Sequence, residues 1–200
     1  SATSWIINKV FNNHGGLYGR VNRRIHLHAF TLKECEDFYE SRNISMNRYD
    51  QVMSYMTFGG VPYYLSMLEP SKSLTQNIDS LLFDPDGQLH REYENLYQAM
   101  FRNAENHLLI VNAMATKSKG LTRKEILEST GLANAGSTTR VIDELEQSDF
   151  IRRYNAFGQK KRDELYQLTD AYTLFYFHFL KDGKNNDKKF WEHHLGTSTI

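Results

Sequence analysis

The stretch from Glu105 to Asp170 constrains the fold more than any other part of the chain. Leu108, Leu109, Val111 and Met114 fall near helical spacing and predict a first helix over Glu105–Thr116. Lys117-Ser118-Lys119-Gly120 is a polar break. Thr122 stands three residues before Glu125, the spacing at which a hydroxyl and a carboxylate cap each other's backbone amides. A second helix therefore runs from Arg123 to Thr130. Gly131 supplies a tight turn. Ser137 or Thr138 opens a third helix, whose Val141, Ile142 and Leu145 share one face. Phe150-Ile151 starts a strand, Phe157-Gly158-Gln159 turns it, and Leu165-Tyr166-Gln167-Leu168 returns it. Three helices closed by a hairpin read as a winged helix-turn-helix. Asp170 opens one more helix, rich in aromatic residues.

Upstream the pattern is helical with one exception. Trp5, Ile6, Ile7, Val10 and Phe11 have helical spacing, and Asn12-Asn13-His14-Gly15-Gly16 is a loop. Arg24-Ile25-His26-Leu27-His28-Ala29 alternates and predicts a strand with one buried face. Thr31 and Glu34 form a second capping box ahead of a helix over 32–41. Tyr49, Val52, Met53 and Met56 mark the next helix, which Gly59-Gly60 ends. Pro62 suits the first turn of the helix that follows, Tyr63–Leu68, and a polar connection leads to Leu74–Leu82. Asp84-Pro85-Asp86-Gly87 is a turn, and Leu89, Tyr93, Leu96, Tyr97 and Met100 give a further amphipathic helix. The lone strand has no partner in the next hundred residues, so its sheet is expected upstream of Ser1. The start at Ser1-Ala2-Thr3-Ser4, without an initiator methionine, points to a piece of a longer chain.

Two hundred residues suit one or two domains. Three prolines fit a mainly α chain. The net charge is zero, so no overall field draws the chain to nucleic acid or to a membrane surface. There is no run that spans a bilayer and no signal-peptide pattern, and a single Cys35 suits a cytoplasmic location. No G-x-x-x-x-G-K-[ST] loop, nucleophile elbow or H-E-x-x-H occurs, and nothing assembles an active site. His26 and His28 would share a strand face but lack a third ligand, so no metal site is assigned.

Gly59-Gly60-Val61-Pro62-Tyr63-Tyr64-Leu65 resembles the glycine-proline motif in the lid of the archaeal-type P-loop ATPases, of the STAND branch of AAA+ proteins. Ser1-Ala2-Thr3-Ser4-Trp5 resembles the segment after the family's fourth core strand. Leu17-Tyr18-Gly19-Arg20 and Ile25–Glu34 resemble its arginine segment and last core strand. Gly120–Ile126 resembles the start of helix two in its winged domain, and Leu168–Tyr176 its linker to a nuclease-like region. The resemblance implies a core remnant over 1–30, a helical lid over 31–103, a winged helix over 104–170 and a helical linker over 171–200. The fold is then mainly α: the tail of an α/β P-loop domain, a helical lid, then the winged unit.

By that resemblance Gly60 and Pro62 lie against the nucleotide, Arg20 acts on γ-phosphate charge, and Ser1 and Thr3 sit at a sensor position. ATP and Mg²⁺ belong to the parent, whose phosphate loop is missing here, so none is expected on this chain and it should not hydrolyse ATP alone. The same residues also read plainly: Gly59-Gly60 as a helix C-cap, Pro62 as a helix start, Arg20 as an exposed cation.

Two partners besides the upstream P-loop core fit the winged unit, DNA or a protein. The third helix carries one cation and three acids, which would repel phosphates. The hairpin offers Arg152, Arg153, Lys160, Lys161 and Arg162 as a basic wing. Over 105–170, however, ten Lys and Arg balance ten Asp and Glu. DNA is therefore expected on the wing and the start of helix two rather than on helix three; the alternative is a module that packs on the ATPase core.

Overall fold

A computed structural model describes residues 22–23, 25–155, 157–158, 164–181 and 187–195. The expected first helix over 1–12, Ser1, Thr3, Arg20, Arg24, Lys160, Lys161 and Arg162 lie outside the described residues. The chain is mainly helical with one small antiparallel sheet, and it divides into two compact units. One comprises residues 1–27 and 94–170, the other 28–93 and 171–200.

The second unit begins with α1, Leu32–Ser41. The Thr31–Glu34 box closes its N-terminus: the Thr31 N–H donates to Glu34 at 2.8 Å, and the Glu34 N–H donates to the Thr31 hydroxyl at 3.3 Å. α2, Arg48–Phe58, is capped by the Asn47 side chain and ends at Gly59, whose φ of +66° is left-handed. Its buried residues are Ser54, Thr57 and Phe58. Ser54 can be inside because Tyr39 Oη of α1 donates to its hydroxyl at 2.9 Å, and Thr57 donates to the Met53 carbonyl at 2.8 Å. α3, Pro62–Leu65, comes directly after the glycines.

α4, Leu74–Ile78, opens with a Ser73–Gln76 box and runs into a π turn, Asp79–Phe83. Asn77 fastens the preceding connection: its oxygen accepts the Glu69 N–H at 2.8 Å, and its amide donates to the Glu69, Lys72 and Ser73 carbonyls. The C-terminal segment returns to this unit. α9, Ala171–Phe175, packs on α2 and continues as a π turn, Tyr176–Leu180. Buried Tyr172 donates to the Leu89 carbonyl at 3.0 Å. α10, Phe190–His194, packs on α4 and its π turn. Asp79 is buried, and its two carboxylate oxygens accept the N–H groups of Trp191 at 2.7 Å and Glu192 at 3.0 Å. Around this anchor Phe83, Phe175, Phe190 and Trp191 form an aromatic core, with Phe83 stacked on Phe190 at 4.9 Å.

In the other unit, α5 (Glu92–Met100, at whose start the units divide) sends Tyr97 into a ring cluster with Phe101 and Phe150. α6, Glu105–Ala115, buries His107, Ile110, Val111 and Met114. β1, Leu121–Thr122, leads into α7, Arg123–Thr130, through the expected Thr122–Glu125 box, and Gly131 ends α7 at φ +69°. α8, Gly136–Gln147, buries Val141, Ile142 and Leu145 as expected. It starts earlier than Ser137: Ala135 holds the cap position without a side-chain bond, and the Thr138 hydroxyl turns back to the Ala133 carbonyl at 2.8 Å. β2, Ile151–Tyr154, and β3, Leu165–Leu168, make the hairpin, in sheet order β1-β3-β2. Gly120, at φ +86°, is required because a Cβ there would lie 2.5 Å from the Tyr166 carbonyl oxygen.

The strand expected over 24–29 does not form among residues 25–29. Ile25 and Leu27 are 73% and 86% exposed, and no strand among the described residues pairs with that segment. Alternation specifies a strand only where a neighbour completes the ladder.

Candidate functional site

Gly60 and Pro62 occupy one turn of the second unit. Gly60 has φ +67°, and a Cβ there would stand 2.2 Å from the Phe30 carbonyl oxygen. The Phe30 N–H in turn donates to the Gly60 carbonyl at 2.8 Å. The close approach that excludes a side chain at Gly60 is therefore to the Phe30 backbone. Pro62 is exposed at the first position of α3, where its missing N–H costs nothing.

The surface beside this turn is apolar. Tyr49, Val52 and Met56 recur at three and four residues along α2 and are 66%, 43% and 62% exposed, and Tyr63 on α3 is 62% exposed. The periodicity that marks α2 as a helix thus lies on its outer face. Ser54, Thr57 and Phe58 face inward instead, with the Ser54 hydroxyl satisfied by Tyr39 and the Thr57 hydroxyl by the Met53 carbonyl. Periodicity alone does not show which face is inside.

Of the five wing cations, Arg152 and Arg153 are described, and they differ. Arg152 donates to the Gln167 side chain at 2.7 Å and lies over the Tyr154 ring at 5.3 Å, on the exposed face of the hairpin. Arg153 points to the other face, toward α8. It pairs with Asp143 at 3.0 Å, Glu146 at 2.5 Å and Glu164 at 3.7 Å, with the Tyr166 ring 5.3 Å away. Three carboxylates neutralise it locally and leave little charge for a phosphate. Strand alternation carried that signal, since Arg153 shares a face with buried Ile151.

The same pairs change the reading of the third helix. Asp143 and Glu146 are engaged by Arg153, and Glu144 accepts from His107 Nε2 at 2.9 Å. His107 is buried, stacked on Phe101 at 3.9 Å, and its Nδ1 lies 3.2 Å from the Asn103 carbonyl. Burial holds its pKa below the ordinary histidine value, against the upward pull of Glu144 and Asn103. At the start of α7, Glu125 is held down at about 2 by the Lys117 ammonium and by the Thr122 amide and hydroxyl. Arg123 donates to Asn134 Oδ1 at 3.1 Å and to the Thr139 hydroxyl at 3.0 Å, contacts that span the turn and that sequence spacing does not reveal.

Cys35 is fully buried, and burial pushes its thiol up to about 11, which disfavours the thiolate. His26 lies 3.5 Å from the Asp149 carboxylate. No helix of the described residues is long and apolar enough to cross a membrane. The chain matches no family model, no curated protein and no solved structure.

Proposed function

We propose that this chain is the lid and winged-helix portion of an ATP-driven switch protein, with catalysis supplied by a P-loop core upstream. The observation that carries the reading is the exposed apolar stripe of α2, Tyr49, Val52 and Met56, beside the Gly60–Pro62 turn. A lid needs such a face, because burying apolar surface is what closes it on its core. Ile25 and Leu27, exposed and without a pairing strand among the described residues, also suit a segment whose ladder lies in that core. In this reading Pro62 walls the nucleoside and Arg20 acts on γ-phosphate charge, with ATP and Mg²⁺ held by the parent. The α6–α8 helices and their hairpin are the winged unit that reports the nucleotide state.

The experiment is on the parent reading frame. It should encode a G-x-x-x-x-G-K-[ST] loop ahead of Ser1, and its product should hydrolyse ATP. Pro62→Ala should weaken ATP and ADP alike, while Arg20→Ala should lower saturated turnover more than affinity. A reading frame without that loop overturns the proposal.

A further inference from the structure

The charges of α8 are sorted along its length. Its three acids occupy the second half, and each is engaged within its own unit, by Arg153 or by His107. The first half, Gly136–Arg140, holds no acid. There Ser137, Thr139 and Arg140 are exposed, and nothing lies within 4 Å of the place a Cβ would take on Gly136. α7 adds two cations from its first turn. Arg123 is oriented by Asn134 and Thr139, both neutral, so its charge is directed without being cancelled. Lys124 reaches Glu128 at 3.8 Å, and both side chains are largely exposed, a pair that solvent screens.

We propose that this face, formed by Arg123, Lys124, Asn134, Ser137, Thr139 and Arg140, binds duplex DNA. Arginine, asparagine and hydroxyl side chains are the groups that contact base edges and phosphates, and here they project from the turn and first halves of two adjacent helices. The open backbone at Gly136 lets the start of α8 come close to a groove wide enough to admit a helix. The objection that this helix repels phosphates applies to its second half, where Arg153 and His107 already engage the carboxylates. The inference makes the helices, rather than the hairpin, the main contact. It goes beyond the lid reading and does not depend on it.

The test measures binding of the full 200-residue chain to a short labelled duplex of mixed sequence at low salt. Saturable binding is expected, falling with salt at a slope of about 0.9 per phosphate contacted. Arg140→Ala and Lys124→Ala should each weaken it roughly tenfold with unchanged melting, while Arg152→Ala, which removes an exposed hairpin cation that holds none of the α8 acids, should leave it within about twofold. Absence of saturable binding at low salt overturns the proposal. So does full affinity in the Arg140→Ala/Lys124→Ala double variant, or loss of binding on changing Arg152 alone. Preference for single strands, or displacement by an acidic polypeptide as readily as by DNA, also rules out a duplex-binding face.

Discussion

Two helices of similar length, α2 and α8, both carry apolar residues at helical spacing, more sharply in α8, and place them in opposite ways. In α8 the stripe Val141, Ile142 and Leu145 is inside, and its acids are engaged by Arg153 and His107. In α2 the stripe Tyr49, Val52 and Met56 is outside, while Ser54 and Thr57 are buried with hydrogen-bond partners. An apolar face marks a helix, but its partner need not belong to the same unit. An exposed apolar stripe of this kind is the feature that supports the proposed lid reading.

The comparison breaks most visibly at Leu145, which is fully buried. Leu145→Ala should cost roughly 2–5 kcal/mol in chemical denaturation. A loss within about 0.5 kcal/mol, the range of surface changes, would place α8 outside the core. Asp79→Ala comes next. It strands the buried Trp191 amide, and an unsatisfied buried donor costs about 1–3 kcal/mol; the Glu192 amide, on an exposed residue, loses its partner more cheaply. Limited proteolysis should then cut first near α10; an unchanged digestion pattern would deny Asp79 its anchoring role.

Arg153→Ala removes partly exposed ion pairs, so the expected loss is about 1 kcal/mol or less, read from the shift in melting. The Glu125 carboxylate gives a pH dependence. Its folded pKa of about 2 lies below the ordinary value of 4.5, so its stabilising contribution is present above pH 4.5 and lost as pH falls toward 2. Glu125→Gln should flatten that part of the acid unfolding curve; an identical curve would mean the Lys117 and Thr122 contacts contribute nothing.

The capping box of α7 lies within four residues and depends on local spacing, so Thr122, Glu125 and the Gly131 stop were legible in the sequence. The three core positions of α8 were legible for the same reason. What escaped were pairings made across long separations. Asp79 finds its amides more than a hundred residues away, and Arg153 finds its acids on another element. The inward face of α2 buries Ser54 against Tyr39 of α1, a pairing that no periodicity encodes. The alternation at 25–29 failed as a strand signal because no pairing strand is present among the described residues. For the candidate sites, the sequence singled out Gly60 and Pro62, which share a turn, and named Arg152 and Arg153 together. It did not separate Arg152 from Arg153, nor did it reveal that the acids of α8 are occupied.

The proposed docking of the α2 stripe on a nucleotide-binding core can be tested directly. The most direct measurement is ATP and ADP affinity of the parent protein carrying Val52→Asp and Met56→Asp. Both sites are exposed, so melting of the 200-residue chain with these changes should stay within about 0.5 kcal/mol of the original. Nucleotide affinity of the parent should fall roughly tenfold or more, as a lid that cannot bury its face ceases to close. Unchanged affinity with unchanged stability would contradict the claim and leave the stripe without a role in nucleotide binding.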